Sequence, residues 1–510
     1  MASLRVLHVA AECYPLAKTG GLGDVVAALP AAQRAIGIDA CVALPGYRGL
    51  RDCLREPKAL TRFAAGGEQF TVIAGRVHDE QNSLPVLLFE CPPLYDRGGD
   101  PYRDAHGVEF TDNARRFARF CEAVAIYACG HAPFDLLHLH DWQAALAAGW
   151  LGQQGQRPRV LYSIHNLAYQ GHVAADRVQQ LQLPPPTLAA GTETWGGFSC
   201  MKAGIRLADA VATVSPGYAR EILTPAYGYG MEAALRECAG GVHGILNGID
   251  TQLWNPRSDH QLERNYSEHT LAEGKRANKL ALQRELGLAE SDAPLLAYIG
   301  RLAEQKGADL ILQAREALLA LPLQLVVLAT GDLPLQQAFR EFADAAPAGQ
   351  VAVRLLHDER LAHRINAAAD LLLMPSRYEP CGLNQMYAQR YGTLPLVRRT
   401  GGLADSVVDA TDASIADGSA TGVQFLDADA GGVLYAVRRG LQLHADEALR
   451  TRLQRAGMAR DFSWSLAAQQ YQQLYRQLCP APVAPADSTA ATGIFPTGND
   501  VAAAQHPLPA

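Results

Sequence analysis

Several short runs in the chain combine cations, carboxylates, imidazoles and paired glycines. Lys18-Thr19-Gly20-Gly21 sets a lysine beside two glycines where a helix is expected to start. Glycines let the backbone approach a ligand closely, first-turn amides attract negative charge, and the lysine adds a full positive one. The run matches neither GxxxxGK[ST] nor GxGxxG, so it implies an anion without naming it. Arg301 and Lys306, inside Gly300 to Gly307, flank the turn between an expected strand and an expected helix. Two cations there suit a diphosphate, or else form a solvated surface pair. Glu379, in the run Pro375 to Leu383, can accept two sugar hydroxyls or complement a helix start. Cys381 has no histidine near it in sequence, so a structural thiol is expected rather than a nucleophile. Thr400-Gly401-Gly402 is a second glycine-rich helix start, either an amide nest for phosphate or a tight turn.

Imidazoles end two further expected strands. His138, His140 and Asp141 are metal ligands by type, but the histidines share a face only if the strand runs through both. No further ligand cluster stands near them in sequence, and no metal is expected. His165 and Asn166 end the next strand, where they line a cleft or fill the core. Tyr95, in Tyr95-Asp96-Arg97, is a weaker candidate of the same kind.

Strands and helices must alternate to position these runs. In the first half the apolar segments at 4–11, 38–44, 70–74, 86–90, 136–140, 160–164 and 210–214 predict strands. In the second half strands are expected at 295–299, 324–328, 351–355, 371–374, 394–397 and 422–425. Helical periodicity fills the intervals, as at 111–129, 307–319 and 384–391. Such alternation predicts parallel sheets covered by helices on both faces, in two doubly wound α/β domains. The junction is expected at the Asn247-Gly248 turn signal. This places one domain at 1–246 and a second at 247–462. Residues 463–479 carry an amphipathic pattern at Leu466, Ala467, Tyr471, Leu474, Tyr475 and Leu478. The Ala- and Pro-rich stretch 480–510 has no periodicity and reads as a disordered tail.

Composition narrows the classes. With 510 residues, 48% hydrophobic and 19% charged, the chain is long enough for two well-packed cores. A net charge of −7 gives no general attraction for nucleic acid or acidic membranes. None of the ten cysteines forms a CxxC pair, and a reducing, cytoplasmic setting is expected. The N-terminus lacks a signal-peptide pattern, and no apolar run approaches the roughly 18–20 residues of a membrane span.

Taken in order, Lys18-Thr-Gly-Gly-Leu, Leu94-Tyr-Asp-Arg, His140-Asp-Trp, His165-Asn-Leu-Ala-Tyr-Gln-Gly, Asn247-Gly-Ile-Asp, Gly300-Arg-Leu with Gln305-Lys-Gly, Arg377-Tyr-Glu-Pro-Cys-Gly-Leu and Thr400-Gly-Gly-Leu form a pattern. It resembles that of the bacterial glycogen synthases, the family that also holds plant starch synthases, over roughly residues 3 to 479. The resemblance implies the GT-B fold, with two Rossmann-like domains facing a central cleft and a C-terminal helix crossing back to the first. It implies transfer of glucose from ADP-glucose to the non-reducing end of an α-1,4-glucan, with retention and with neither metal nor cofactor. Glycogen or a malto-oligosaccharide is then the acceptor, and neither nucleic acid nor membrane is a partner.

By the same resemblance His165, Arg301, Lys306, Glu379 and Asp141 are the catalytic set. Arg301 and Lys306 bind the donor diphosphate, Glu379 holds glucose hydroxyls, and His165 lies near the reacting carbon. Lys18, Gly20, Gly21, Tyr95, Asn166, Asn247, Cys381, Gly382, Leu383, Asn384, Thr400, Gly401 and Gly402 are expected to bind substrate. Asn384 stands where the family often has threonine, and Ala329 where glycine is common. Three alternatives remain at this point: a UDP-glucose enzyme, a non-catalytic glucan-binding homologue, and a dinucleotide-dependent oxidoreductase. The last lacks GxGxxG with a downstream acid.

Overall fold

The protein is described here by a computed structural model covering residues 3–78, 83–152, 157–193 and 196–480. Most of the expected tail, from residue 481 onward, lies outside the described residues. Two large sheets form the frame.

The first sheet draws on β1 (Arg5–Val9), β2 (Asp39–Pro45), β3 (Arg55–Ala65), β4 (Glu68–His78), β5 (Ser83–Glu90), β6 (Leu136–His140) and β7 (Arg159–Ile164). A two-stranded ribbon, β8 (His172–Val173) and β9 (Phe198–Ser199), sits outside it, and β10 (Ala210–Thr213) and β11 (Val242–Gly244) complete it. Its order is β11-β10-β7-β6-β1-β2-β5-β4-β3. The second sheet contains β12 (Leu295–Leu302), β13 (Gln324–Gly331), β14 (Val351–Arg354), β15 (Leu371–Met374), β16 (Leu394–Arg398) and β17 (Val423–Phe425). Its order is β14-β13-β12-β15-β16-β17, and every pairing in it is parallel.

The central strands are mostly apolar because both faces are covered. In the second sheet Leu296, Tyr298, Leu325 and Val327 enter one core, while Leu295, Ala297, Val326 and Leu328 enter the other. The first sheet departs from the all-parallel expectation. β3 pairs antiparallel with β4, and β4 with β5, so its far edge is a meander. The β3–β4 turn is Gly66-Gly67, with φ of 52° and 81°, a two-residue turn that both glycines allow. β3 escapes an apolar reading because most of its residues are exposed.

The last helix, Trp464–Leu478, crosses back onto the first sheet. Ala467, Ala468, Tyr471, Leu474 and Tyr475 pack against Val25, Leu29, Leu136 and Ala212. Leu466, expected on that apolar face, is instead 48% exposed. The two inter-sheet crossings lie side by side: the Ile249 amide donates to the Phe462 carbonyl at 2.8 Å. A Cβ on Gly248 would stand 2.6 Å from the Trp464 backbone, so this approach needs a glycine. Among the described residues no helix is long and apolar enough to cross a membrane.

Candidate active site

The carboxyl ends of the adjacent strands β12 and β15 bring two of the chemical runs together. Gly307 has φ of 66°, and a Cβ there would meet the Pro375 carbonyl at 2.1 Å, so the two loops touch through a glycine. Lys306 Nζ consequently reaches Glu379 Oε2 at 2.6 Å, and Ser376 Oγ donates to the same oxygen at 3.0 Å. Glu379 is buried and its carbonyl accepts the Gly402 amide at 3.1 Å. Arg301 is exposed, and its guanidinium donates to Gln305 Oε1 at 3.4 Å; no carboxylate pairs with it among the described residues. Arg377, in the same run as Glu379, points elsewhere, making a two-pronged ion pair with Asp309.

The two Thr-Gly-Gly-Leu helix starts share a feature that sequence reading missed. The Glu12 carboxylate accepts Thr19 N at 2.6 Å, Thr19 Oγ1 at 2.7 Å and Gly20 N at 3.2 Å. Likewise Glu221 Oε1 accepts Thr400 Oγ1 at 3.0 Å and Gly401 N at 2.8 Å. The anion attracted to each helix start is therefore a side chain of the protein itself. The Thr19, Gly20 and Gly401 amides are thereby engaged within the protein. Lys18 is exposed and pairs with Asp24 at 2.8 Å. Gly21 begins the helix Gly21–Ala35, with open space where its Cβ would be.

On the facing domain, Asp141 has a left-handed backbone, φ 53°, directly after β6. Its Oδ1 accepts the His165 amide at 2.8 Å, and the Asn166 amide lies within its reach as well. Burial pushes its pKa up to about 7 against the pull of those amides. Asp141 thus holds the His165 loop in shape. Asn166 Oδ1 is turned back on its own loop, accepting the Ala168 amide at 3.1 Å. His165 Nε2 lies 2.9 Å from His140 Nδ1, and burial pulls the His165 pKa down to about 4.

Asn247 is buried, and among the described residues its Oδ1 has no partner, an acceptor left for a donor group. Cys381 is buried, with its thiol pKa pushed up to about 12 by desolvation, so it is no nucleophile. Asn384 spends its amide on the Ile299 carbonyl at 2.8 Å. Gly382, with φ of 70°, and Leu383 lead into the helix Asn384–Arg390. Tyr95 differs most from expectation. Its ring is buried and its hydroxyl donates to the Arg116 carbonyl at 2.7 Å, so that hydroxyl is spent inside the domain.

Contacts between the domains run beside these groups. Ser215 Oγ donates to the Pro380 carbonyl at 2.7 Å, and Asp405 Oδ2 accepts the Gly217 amide at 2.5 Å. Tyr229 meets Tyr378 edge to face at 5.9 Å, and Gln170 Nε2 donates to the Tyr229 carbonyl at 3.0 Å. The His165 loop and the Glu379 loop are thereby tied through one tyrosine.

Comparison with known proteins agrees with this architecture. A family profile described as the starch synthase catalytic domain matches residues 5–237, and one described as glycosyl transferases group 1 matches residues 282–422. A glycogen synthase of Aromatoleum aromaticum is 48% identical over 484 residues, covering 93% of this chain and 97% of its own. A glycogen synthase of Yersinia pseudotuberculosis is 44% identical over 485 residues, covering 93% and 100%. Among solved structures, the catalytic domain of starch synthase IV from Arabidopsis thaliana, bound to ADP and acarbose, superposes with a TM-score of 0.81. It is 35% identical and covers 94% of this chain and 100% of its own. A sucrose-phosphate synthase from Thermosynechococcus elongatus, at 20% identity and a TM-score of 0.59 over 93% and 99%, shares the fold. Two Rossmann-like domains in the GT-B arrangement, with identity of this extent over nearly the whole chain, lead to one assignment: the chain belongs to the glycogen synthase and starch synthase family of glycosyltransferases.

Proposed function

We propose that the enzyme transfers glucose from ADP-glucose to the non-reducing end of an α-1,4-glucan such as glycogen, with retention at the anomeric carbon. The observation that carries this reading is the Lys306–Glu379 pair at the ends of β12 and β15, beside an Arg301 that no carboxylate pairs among the described residues. Arg301 and Lys306 supply the charge that a departing diphosphate needs, and Glu379 supplies the acceptor oxygens that a glucose needs. Lys18 leaves Asp24 for the diphosphate as the domains close. His165 and the unpartnered Asn247 Oδ1 meet the sugar from the other side.

Retention without a covalent intermediate is supported by the state of the carboxylates. Asp141 is engaged by backbone amides and Glu379 by Lys306 and Ser376, so neither is placed as a free nucleophile. The acceptor hydroxyl attacks on the face that ADP leaves. Its oxygen bonds to the anomeric carbon, the bond from that carbon to the phosphate oxygen breaks, and the departing phosphate takes the proton. A cytoplasmic setting belongs to the same proposal, supported by ten cysteines all present as free thiols, and cell fractionation tests it.

The test is to assay ADP-glucose and UDP-glucose side by side with glycogen. The expected result is a higher kcat/KM for ADP-glucose. A higher value for UDP-glucose would reassign the donor. Glycogen binding without transfer from either donor would make the chain a non-catalytic homologue.

A further inference from the structure

The His165 imidazole belongs to a buried line of hydrogen bonds that ends on the crossing helix. Beyond the His165–His140 contact, His140 Nε2 lies 3.0 Å from His8 Nδ1, and His8 Nε2 lies 2.8 Å from Gln33 Oε1. Gln33 Nε2 donates to the Tyr475 hydroxyl at 2.9 Å. That hydroxyl lies 2.7 Å from His138 Nδ1, and His138 Nε2 lies 2.6 Å from Ser163 Oγ. His8, Gln33, His138, His140, Ser163 and Tyr475 are all fully buried.

The amide sets the direction of the line. An amide oxygen only accepts and an amide nitrogen only donates, while a neutral imidazole carries a single N–H. Gln33 Oε1 therefore requires the proton of His8 on Nε2, which leaves His8 Nδ1 bare. His140 must then donate through Nε2, and its own bare Nδ1 requires His165 to donate through Nε2. On the other side, Tyr475 accepts from Gln33 and so gives its proton to His138 Nδ1. Burial supports neutral rings throughout: His8 and His165 are held down to about 4, and His138 and His140 well below the usual histidine value. His8, His138 and His140 stand close enough together to suggest a metal cage. Yet all their ring nitrogens are engaged in these hydrogen bonds, so the cluster is a relay of orientation.

We propose that Gln33 is a positioning residue for the transfer reaction: through His8 and His140 it fixes the tautomer of His165, leaving Nδ1 a bare acceptor for a substrate hydroxyl. Tyr475, on the crossing helix, holds Gln33 in that orientation. The inference rests on the reading that His165 meets the sugar. A ring free to adopt either tautomer would offer a donor in part of the population, and a hydroxyl oriented to donate would then lose its partner.

Nitrogen-15 NMR of the full-length, histidine-labelled protein tests this, with signals assigned by single histidine replacements. The expected spectrum shows neutral His8, His140 and His165, each protonated at Nε2 and bare at Nδ1. A protonated Nδ1 on His8 or His165 would overturn the proposal, and this readout needs no Gln33 variant to fold. Kinetics give the second arm. Gln33→Met keeps the length without the amide and is expected to lower kcat by about tenfold, with the donor KM within about twofold. Gln33→Glu keeps an oxygen facing His8 and is expected to recover kcat to within about threefold of the native enzyme. An unchanged kcat in Gln33→Met, or an equal loss in both variants, would overturn the positioning role. A native kcat in His165→Ala would sink the site reading and the positioning role together, whereas the wrong tautomer sinks the positioning role alone.

Discussion

Lys306 spends its charge on Glu379 in the structure, and this pairing shapes what its loss must do. Removing the lysine leaves the Glu379 carboxylate, 5% exposed at its side chain, with Ser376 as its remaining side-chain partner. That costs stability, on the order of 1–3 kcal/mol, because a buried acceptor loses its charged donor. The larger effect belongs to the reaction, where a cation beside the leaving diphosphate is lost. Lys306→Ala is expected to lower kcat/KM for the donor by on the order of 10²–10³. Lys18→Ala removes a partly exposed pair with Asp24, worth about 0–1 kcal/mol, and a cation–π contact with Tyr14, so it weakens donor use without unfolding the chain. Steady-state kinetics with a circular dichroism check of folding decide both. A near-native kcat/KM in Lys306→Ala would remove it from the catalytic set. An unfolded Lys18→Ala would make its loop a structural one.

The crossing helix is the element on which the two domains depend together. It reaches the first sheet only because Gly248 lets the Trp464 backbone approach to where a Cβ would stand at 2.6 Å. Gly248→Ala is expected to force that crossing apart, cost about 1–3 kcal/mol, and lower kcat as Tyr475 withdraws from Gln33. Calorimetry and the transfer assay measure the two effects, and a native melting temperature would show that the crossing yields without cost. Such elements differ in how far sequence reveals them. Strands β1, β6, β12 and β15 were legible because burial on both faces makes them continuous apolar runs. Exposed β3, with Arg55, Glu56 and Lys58 on it, carries no such run. Arg301, Lys306 and Glu379 stood out as charged residues on strand-to-helix turns. Their mutual pairing did not, because it depends on β12 and β15 being neighbours. Glu12 and Glu221 were invisible for the same reason: each is an ordinary acid until a loop folds onto it. His8 could have been joined to His138 only by knowing that β1 lies against β6, where the two residues share a register.

For the molecule as a whole, that buried imidazole cluster sets the response to acid. His8 and His165 are held down to about 4, and His138 and His140 well below their ordinary value, so all stay neutral when folded. The unfolded chain protonates the same rings near 6.5 and so binds more protons below that pH. Their contribution to stability is full above about 6.5 and is lost as the pH falls toward 4. Each ring costs the fold up to about 1.4 kcal/mol per pH unit across that window. Asp141 acts in the opposite sense. With its pKa raised to about 7, it keeps a proton that the unfolded chain releases above about 4, so its contribution grows as the pH falls from 7. Imidazoles outnumber this carboxylate, and acidification from pH 7.5 to 5.5 is expected to lower the melting temperature, by on the order of 3 °C for a net loss of a few kcal/mol. Asp141→Asn takes away the opposing group, so the fall should steepen in that variant. Scanning calorimetry at the two pH values on both proteins tests the sign. A flat or rising melting temperature on acidification in Asp141→Asn would count against neutral imidazoles, and a charged His140 could not pass a single orientation from Gln33 to His165.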